Sequence, residues 1–458
     1  MEVTERTSRG ALAESLVPGL REKGVVAVAT TIVDNSGIAR VKTVPLDRLP
    51  QLAAWGVGFP SVLDYLRFDD CIVAPLDHRG PVGDLRIVPD LRRLVPLVAQ
   101  PGWAWAPGER YRQDGEPHER CSRLLLRRQV EGLAGRGFEV KAAFEIEWVV
   151  SRGDTEEFVP AATGPAYGLS RLGGVSKYAL DVIDALLRQG VRLEQFHPEY
   201  PAGQLELSVQ AESPVDAADT SVLVRSTIRA VGELHGYRTS FAPKVDPSGL
   251  GNGGHVHLSL WRDGENLMTG GPGKFGLTDA GAAFVGGILG KLPELMAIGA
   301  PSVASYLRLL PSQWAGVFAC WGLENREAAV RMITGSTGSG TWAANVEVKC
   351  FDLTANPYLL LSALLAVGSA GIGEGVRLQE PVDIDPASLP EEVLERRGIK
   401  RLPTTLRDSV DALAKDESLR DALGSPLLDS LLAVRESEIA LFANASPDEV
   451  VRATRWVH

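Results

Sequence analysis

Paired acidic side chains on strand-like segments are the residues of this sequence best suited to do chemistry. Glu145 and Glu147 lie two residues apart in the apolar run FEIEW, so on a strand both carboxylates point to the same face. Neighbouring buried carboxylates repel each other and are costly to desolvate unless a partner compensates their charge. A bound cation would supply that charge, whereas a solvated strand face would need none. The pair on its own leaves both interpretations open.

His255 and His257 repeat this spacing with imidazoles, directly after the glycine-rich turn GLGNGG at 249–254. A single histidine in an apolar strand is most often a hydrogen-bonded core residue. Two of the chain's seven histidines on one predicted strand face favour a ligand role without deciding it.

Three further glutamates belong to the same pattern. Glu199 and Glu206 flank the Pro/Gly turn of HPEYPAGQLE, which can bring both carboxylates to one end of a strand. Glu347 lies in the strand-like run NVEVK. Five glutamates and one histidine give a donor set made mostly of oxygen, which suits Mg²⁺ or Mn²⁺ better than zinc.

The composition is that of an ordinary globular protein. Its 458 residues are 45 % apolar and 23 % charged, enough for two or three domains or for one large domain with an appendage. A formal net charge of −11 disfavours non-specific binding to nucleic acid or to anionic membranes. The four cysteines lie far apart without CxxC spacing, and the charged N-terminus lacks an apolar signal core. These features predict a protein of the reducing cytoplasm that is not exported.

Turn and cap residues predict the elements that must position these side chains. In the first part of the chain, β-branched residues at 25–46, interrupted by DNSG, indicate two strands and a tight turn, and 84–88 indicates a third strand. The Pro/Gly/Trp-rich stretch 101–108 is typical of a connection. We therefore expect an N-terminal domain at 1–105 and a second, larger domain at 106–458.

Helical and strand patterns alternate beyond this boundary. They predict helices at 121–133, 177–187, 214–235 and from Asn356-Pro357 onward, and strands at 140–150 and 204–209. The uncharged stretch 353–373 has an apolar part shorter than the ~20 residues that a membrane span needs, so it predicts a buried helix. After Pro390 the chain is polar and helical. The pattern indicates an α+β architecture, with helices packed against an antiparallel sheet.

Seven segments, taken in chain order, resemble the glutamine synthetase family across nearly the whole chain. They are FEIEW at 144–148, HPEYPAGQLEL at 197–207, FAPK at 241–244, GGHVHLSL at 253–260, SYLRLLP at 305–311, ENREAAVR at 324–331 and VEVKCFDLTANPY at 346–358. The resemblance implies an N-terminal β-grasp domain followed by a catalytic domain built on a curved antiparallel sheet. It also implies homo-oligomers, double-ringed dodecamers with active sites between neighbouring subunits.

The same resemblance implies an ATP-dependent ligase with two or more divalent ions at each site. It assigns one ion to Glu147, Glu199 and Glu206 and the other to Glu145, His255 and Glu347. In this family the γ-phosphoryl group of ATP is transferred to glutamate, and an amine then displaces phosphate from the γ-glutamyl phosphate. Cations and arginines offset the charge that develops in both steps.

Further residues have implied roles at the substrates. Arg326 and Arg331 match the phosphate-contacting arginines of the family, and His257 and Ser259 match residues on the nucleotide side. Arg308 matches the arginine that pairs with the substrate carboxylate, a role that suits the bidentate guanidinium. Without the resemblance, a surface ion pair would be the simpler interpretation of each arginine.

Three other positions lie near the expected substrates. Gly251 falls where the family uses backbone close to glutamate. Asn345 and Lys349 stand where the family usually has arginines, and Lys349 keeps the charge without the planar fork. We expect Lys349 to contact substrate.

Two departures from the family pattern concern the acceptor. In ammonia-using members a glutamate follows the proline of SYxRLxP by three residues, but here the flap (residues 310–316) carries Trp314 at that position. Those members also have an aspartate after a phenylalanine in the N-terminal domain, where Phe59 is followed by Pro60. A desolvated ammonium ion needs fixed acceptors, which an indole lacks. A Trp face can instead cover the carbon body of a larger amine and attract its charge, worth ~0.5–2 kcal/mol.

We therefore expect an organic amine as acceptor, as in the γ-glutamylpolyamine and γ-glutamylmonoamine synthetase branch, with Arg308, Arg326 and Trp314 at the reacting groups. Two other interpretations stay open. The chain could be a true glutamine synthetase in which Trp314 is flap packing and another acid binds ammonium. It could also be a non-catalytic scaffold or nitrogen-signalling protein that keeps the fold, against which the retained metal ligands weigh.

Overall fold

The computed structural model describes residues 3–73 and 82–458 of the chain. Six strands between residues 27 and 111 form the first sheet, in the order β2-β1-β6-β4-β3 with β5 beside β6. The strands are β1 Ala27–Val33, β2 Ala39–Pro45, β3 Val57–Pro60, β4 Asp84–Pro89, β5 Val95–Pro96 and β6 Trp103–Tyr111. Strands β1 and β6 run parallel, whereas the other paired neighbours are antiparallel.

The β1–β2 hairpin confirms the two strands predicted from β-branched residues. Its turn is fixed by Asp34, whose carboxylate accepts the N–H groups of Ser36 at 2.9 Å and Ile38 at 3.0 Å. Gly37 has a φ of 73°, and a Cβ there would lie 1.9 Å from the carbonyl oxygen of Thr354. Only glycine fits this turn, because its backbone packs directly on the second part of the chain.

The stretch 101–108, predicted as a connection, is instead mostly part of strand β6. Trp103 to Pro107 pair with β1, and Gly108 to Tyr111 pair with β4, so the stretch belongs to the first sheet. Glycine and proline suggested a loop, but residues 104–110 of this strand are all buried in the first sheet. The division into two domains stays a prediction, and the position of β6 argues for a boundary after Tyr111.

Ten strands form the second sheet, in the order β16-β13-β14-β15-β11-β7-β9-β8, with β10 beside β7 and β12 beside β11. They are β7 Glu139–Arg152, β8 Leu193–Pro198, β9 Gln204–Val209, β10 Tyr237–Ser240, β11 Gly254–Arg262, β12 Glu265–Asn266, β13 Phe318–Leu323, β14 Ala328–Ile333, β15 Asn345–Val348 and β16 Lys400–Arg401. The pairs are antiparallel, as predicted, apart from the parallel pair β13–β14.

The register of three strand pairs brings the acidic and imidazole side chains together. His255 of β11 lies opposite Glu145 of β7, and Glu206 of β9 lies opposite Glu147 of the same strand. On the other edge of β11, Glu347 of β15 lies opposite the second histidine. Because residues opposite each other in a sheet share a face, residues far apart in the chain meet on one surface.

Helices surround the two sheets, and their ends carry the predicted caps. Ser213 Oγ accepts the N–H of Asp216 at the start of α6, and Asn356 Oδ1 accepts those of Tyr358 and Leu359 at the start of α11. The helices are α1 Val3–Glu22, α2 Leu49–Trp55, α3 Ser122–Ala134, α4 Leu169–Gly173, α5 Ser176–Arg188, α6 Pro214–Leu234, α7 Asp279–Gly290, α8 Leu292–Gly299, α9 Ser305–Arg308, α10 Gly340–Ala343, α11 Pro357–Glu374, α12 Glu391–Arg396, α13 Leu406–Ala414, α14 Glu417–Leu423, α15 Ser425–Leu441 and α16 Pro447–Thr454.

Helix α11 lies in the core, as its apolar sequence predicted. It is long and apolar enough to cross a membrane by composition, and α7 with α8, bent by 70°, meets the same test as a pair. However, 67 % of α11 is buried inside the protein, where its leucines pack between α3, α6 and α7. Among the described residues it is therefore a core helix that happens to be apolar.

A buried ionic network joins the first sheet to the helices of the second. Arg123 of α3 contacts Asp90 and Glu109 from the first sheet and Asp219 of α6. Tyr358 of α11 donates its hydroxyl proton to Asp219 Oδ1 at 2.8 Å. Burial of such charges is costly unless they are paired, so this network fixes how the two parts pack together.

Candidate active site

A cavity of about 1260 Å³ opens on one face of the second sheet. Every residue predicted for the site lines it except Glu347, whose side chain is buried. The predicted residues in the lining are Glu145, Glu147, Glu199, Glu206, Gly251, His255, His257, Ser259, Arg308, Trp314, Arg326, Arg331 and Lys349. One cavity therefore brings together the candidate metal, nucleotide and substrate residues.

Carboxylates and imidazoles lie close together along β7, β9 and β11. His255 Nδ1 lies 2.6 Å from Glu145 Oε1 and 3.1 Å from Glu347 Oε1, and His257 Nε2 lies 3.6 Å from Glu145 Oε2. Three groups have ligand atoms within 4.8 Å of one another: Glu145 with Glu147 and His255, Glu145 with His257 and Glu347, and His197 with Glu199 and Glu206.

These groups divide differently from the predicted pair of triads. Glu147 lies with Glu145 and His255 rather than with Glu199 and Glu206. Its Oε2 accepts the backbone N–H of the residue before β11 at 2.6 Å, which holds the carboxylate toward that strand. The assignment of each glutamate to one particular ion stays a prediction.

The donor set fits a divalent cation. Two buried ring nitrogens, His257 Nε2 and His197 Nδ1, have no hydrogen-bond partner among the described residues. Buried polar atoms without partners are rare in proteins, and a metal ion satisfies them. The surrounding carboxylate oxygens favour Mg²⁺ or Mn²⁺ over softer metals.

Negative charge in this cluster is unevenly compensated. Burial and the neighbouring carboxylates raise the pKa of Glu206 to about 11, and burial also raises the pKa of Glu199. Burial acts in the same direction on Glu145, but the hydrogen bond with His255 and the nearby imidazole of His257 outweigh it and hold the pKa of Glu145 below its usual value. Added positive charge would stabilise the ionised form of every carboxylate in the cluster.

The two arginines predicted for phosphate groups have different partners. Arg331 Nη1 lies 3.2 Å from Glu347 Oε2, and the same guanidinium contacts Glu324. Arg326 lies over the indole of Trp314, with Cζ 5.8 Å from the ring centroid. Its side chain is exposed in the cavity, so a bound anion can reach it.

The residues predicted for the nucleotide side lie together on β11. His257 Nδ1 is 2.9 Å from Asn345 Oδ1, and Ser259 Oγ accepts the indole N–H of Trp261 at 2.8 Å. Trp342 of α10 lines the same cavity and is 71 % exposed. Trp342 therefore offers the cavity an exposed indole on which a planar base can stack, whereas the Trp261 indole is buried, with Lys141 Nζ 3.7 Å from its ring centroid.

Arg308 is buried beside the metal-ligand cluster with part of its guanidinium unsatisfied. Nη2 contacts His255 Nε2 at 3.2 Å and donates to the Lys349 carbonyl at 3.0 Å, whereas buried Nη1 has no partner among the described residues. A carboxylate in the cavity would supply the missing acceptor. Gly251 makes room beside it, since a Cβ there would lie 2.7 Å from Arg308 Cγ. Lys349 Nζ already lies 3.0 Å from Glu347 Oε1.

Trp314 occupies the cavity wall at the flap. Its side chain is 53 % exposed, and its φ of 56° is unusual for a bulky residue. Pro60, the other departure from the family pattern, ends β3 in the first sheet and does not line this cavity. Within the described chain, the flap side of the cavity is therefore bordered by an indole.

Further cavity residues were not predicted from the sequence. Tyr167 donates its hydroxyl proton to Glu199 Oε2 at 2.9 Å, and Gln204 Nε2 lies 3.3 Å from Glu147 Oε2. Arg171, which is buried and does not line the cavity, donates to the backbone carbonyls of Tyr200 and Pro201 in the Pro/Gly turn. No local sequence pattern predicts these residues, because the partner of each lies tens of residues away in the chain.

The fold and cavity define a glutamine synthetase-type protein, and comparison agrees. The chain belongs to the glutamine synthetase family, since the model of the glutamine synthetase catalytic domain matches residues 119–452. It is 53 % identical to the gamma-glutamylpolyamine synthetase GlnA3 of Streptomyces coelicolor, over 97 % of this chain and 96 % of that protein. It is also 34 % identical to a glutamine synthetase of Thermococcus kodakarensis, over 68 % of each chain.

Solved structures give the same result. A crystal structure of a glutamine synthase homologue superposes with a TM-score of 0.84 at 35 % identity, covering 95 % of this chain and 99 % of that one. The structure of GmaS with ADP superposes with a TM-score of 0.82 at 27 % identity, covering 94 % and 97 %. The family and the fold predicted from the sequence are thereby confirmed.

Proposed function

We propose that this protein joins the γ-carboxyl group of glutamate to an organic amine, using ATP and forming γ-glutamyl phosphate on the way. The observation that carries the proposal is the single cavity that combines a divalent-ion donor set, an unsatisfied guanidinium and an indole. The family supplies the reaction type, and the gamma-glutamylpolyamine synthetase relative supports an amine larger than ammonia.

Divalent ions, Mg²⁺ or Mn²⁺, would be held by Glu145, Glu147, Glu199, Glu206, His255 and Glu347. Bound there, they would neutralise the phosphate oxygens of ATP and of the acyl phosphate. Hydrogen bonds hold the ligand oxygens of Glu145 and Glu147 in place. The partner of Glu145 is His255, and the partners of Glu147 are Gln204 and the backbone N–H before β11.

The basic residues act on the anionic reactants. Arg308 receives a carboxylate of glutamate at its free Nη1, which orients the γ-carboxyl group, while Gly251 leaves space for the substrate beside it. Arg326 reaches the transferred phosphoryl group from the exposed side of the cavity. Arg331 and Lys349, both paired with Glu347, hold positive charge where phosphate leaves. His257 and Ser259 contact the nucleotide.

Trp314 selects the acceptor. Its exposed indole covers the carbon body of an amine and attracts the positive end through its π system. Among organic amines, the similarity to GlnA3 over nearly the whole chain favours polyamines over short monoamines such as ethanolamine. The family fold also supports a cytoplasmic homo-oligomer, which we propose to be a dodecamer with an N-terminal domain and a catalytic domain in each subunit.

Acceptor-dependent phosphate release tests this function. Purified protein with ATP, Mg²⁺ and glutamate would be offered ammonium, ethanolamine, putrescine and spermine in separate reactions. We expect release of phosphate with putrescine or spermine, and γ-glutamyl-amine product by mass spectrometry. Activity with ammonium alone would identify a true glutamine synthetase instead. Inactivity with every acceptor would support the scaffold interpretation.

A further inference from the structure

A single buried carboxylate holds the backbone of the flap. The N–H of Trp314 donates to Glu327 Oε1 at 2.7 Å, and the glutamate side chain is only 7 % exposed. Glu327 lies directly before β14, so its position is fixed by the second sheet. This charge-assisted hydrogen bond attaches the flap to a rigid element.

The flap conformation needs such an attachment. Ser312 and Trp314 have φ angles of 55° and 56°, in the left-handed region that side chains other than glycine rarely occupy. Strained backbone of this kind persists only where surrounding contacts hold it. Besides Glu327, the described contacts that do so include the hydrogen bond from Ser312 Oγ to Asp385 Oδ2 at 2.7 Å.

The turn that carries Glu327 is itself locked. Asn325 Nδ2 donates to the carbonyls of Val382 at 2.9 Å and Ile384 at 3.0 Å, and its Oδ1 accepts the Glu327 N–H at 3.0 Å. Between Asn325 and Glu327, the guanidinium of Arg326 lies over the Trp314 ring. One turn therefore supports the flap through its backbone and its indole together.

The second carboxylate oxygen of Glu327 does not bind another group in the described chain. Oε2 is buried and has no hydrogen-bond partner among the described residues. Burial also raises the pKa of Glu327, because no cation offsets its charge fully. Neither oxygen forms an ion pair in the described chain, so the hydrogen bond that this side chain accepts there is the one from the Trp314 N–H.

We propose that Glu327 is a positioning residue that fixes the Trp314 indole across the amine end of the cavity and thereby sets acceptor selectivity. The inference rests on the proposed function, because it concerns the acceptor of that reaction. Without the Glu327 acceptor, the strained backbone at Trp314 relaxes and the indole leaves the wall. A long amine then loses its apolar contact surface, while glutamate and ATP keep theirs.

Substitution of Glu327 separates this role from a general structural one. Glu327→Ala removes the acceptor, and we expect the KM for spermine or putrescine to rise about 10- to 100-fold, as loss of a hydrogen bond to a charged group predicts. The KM values for glutamate and ATP stay near wild type. Glu327→Gln keeps an oxygen for the Trp314 N–H, so it restores most of the wild-type amine KM. Glu392→Gln, an exposed change on α12, is the matched control.

The possible outcomes distinguish the two proposals. If the wild type is active and E327A has the same amine KM, the positioning role alone is overturned. The same conclusion follows if E327A loses affinity equally for glutamate, ATP and amine. A wild type inactive with every amine would overturn the proposed function and this inference with it. If E327A does not fold, Glu327→Asp replaces it, since the shorter carboxylate cannot reach the flap and must raise the amine KM in the same way.

Discussion

Glu145 and Glu206 carry the same side chain on strands of one sheet, yet their surroundings move their pKa values in opposite directions. Alternation along a strand predicts which side chains share a face. It does not predict what lies opposite, because strand register is set by segments far away in the chain. The structure brings the candidate ligands to one cavity, with Glu347 buried beside it, while their grouping and the contacts of Tyr167 and Arg171 could not be inferred from the sequence.

At the residue scale, Glu147→Gln tests the divalent-ion site. The substitution keeps the shape and an oxygen for the N–H before β11 but removes the charge. Loss of a residue that only supports a metal ligand weakens metal binding roughly 10- to 100-fold. We expect E147Q to raise the Mn²⁺ dissociation constant by more than this and to abolish turnover. Isothermal titration and phosphate release measure the two effects.

Glu139→Gln on the same strand is the control for this change, because Glu139 is exposed and lies outside the cavity lining. Its metal affinity should equal that of the wild type. Retained turnover in E147Q would remove Glu147 from the set of metal ligands.

At the scale of elements, local chemistry predicted those segments whose own residues determine their structure. The hairpin β1–β2, the strand β9 and the caps of α6 and α11 follow from β-branching, alternation and Ser/Asn capping side chains. Strand β6 was missed because its glycine and proline resemble a turn, and pairing with β1 and β4 overrides that local preference. The strained flap was not predictable either, since its support comes from the turn before β14.

The turn before β11 gives a prediction at this scale. A Cβ on Gly253 would lie 2.3 Å from His255 Nε2 and 2.9 Å from Arg308 Nη2. Gly253→Ala must therefore displace the imidazole, and we expect a lower Mn²⁺ affinity with a destabilisation of about 1–3 kcal/mol from overpacking. Gly132→Ala on α3 is the control, because nothing lies within 4 Å of its added methyl group. If titration shows that G253A binds Mn²⁺ with the affinity of the wild type, this account of the turn is contradicted.

At the scale of the whole molecule, the Arg123 network links the two sheets. Arg123→Met removes the buried cation that joins Asp90, Glu109 and Asp219 and leaves them with the less buried Arg92, Arg93 and Arg127. We expect the free energy of unfolding to fall by about 3–5 kcal/mol, as for other buried pairs that lose one partner. Urea unfolding measures it. Arg188→Met removes an exposed pair with Asp184 and should change stability by less than about 1 kcal/mol; an equal effect of both variants would refute the structural role of the network.

The response of the fold to acid is a second prediction at this scale. Burial, reinforced by nearby arginines, lowers the pKa of His458 from 6.5 to about 3. Between these pH values the unfolded chain binds a proton at this ring and the folded chain does not. The stability that neutral His458 contributes is therefore present above pH 6.5 and is lost as the pH falls toward 3. Urea unfolding from pH 7 to pH 4 should show this loss, and His458→Gln should flatten the plot of unfolding free energy against pH. An unchanged slope in the variant would contradict the prediction.

The order in which the paired strands occur in the chain has a consequence for biosynthesis. His255 meets Glu145 across a separation of 110 residues, and Glu347, the last of these residues in the chain, lies with Oε1 3.1 Å from His255 Nδ1. A nascent chain that has emerged from the ribosome only as far as β11 thus holds most of the ligands but lacks β15. Its β11 edge is then unpaired, and open edges of this kind pair readily with other chains. We therefore expect a nascent chain that pauses before residue 347 to need a chaperone more than the complete chain does.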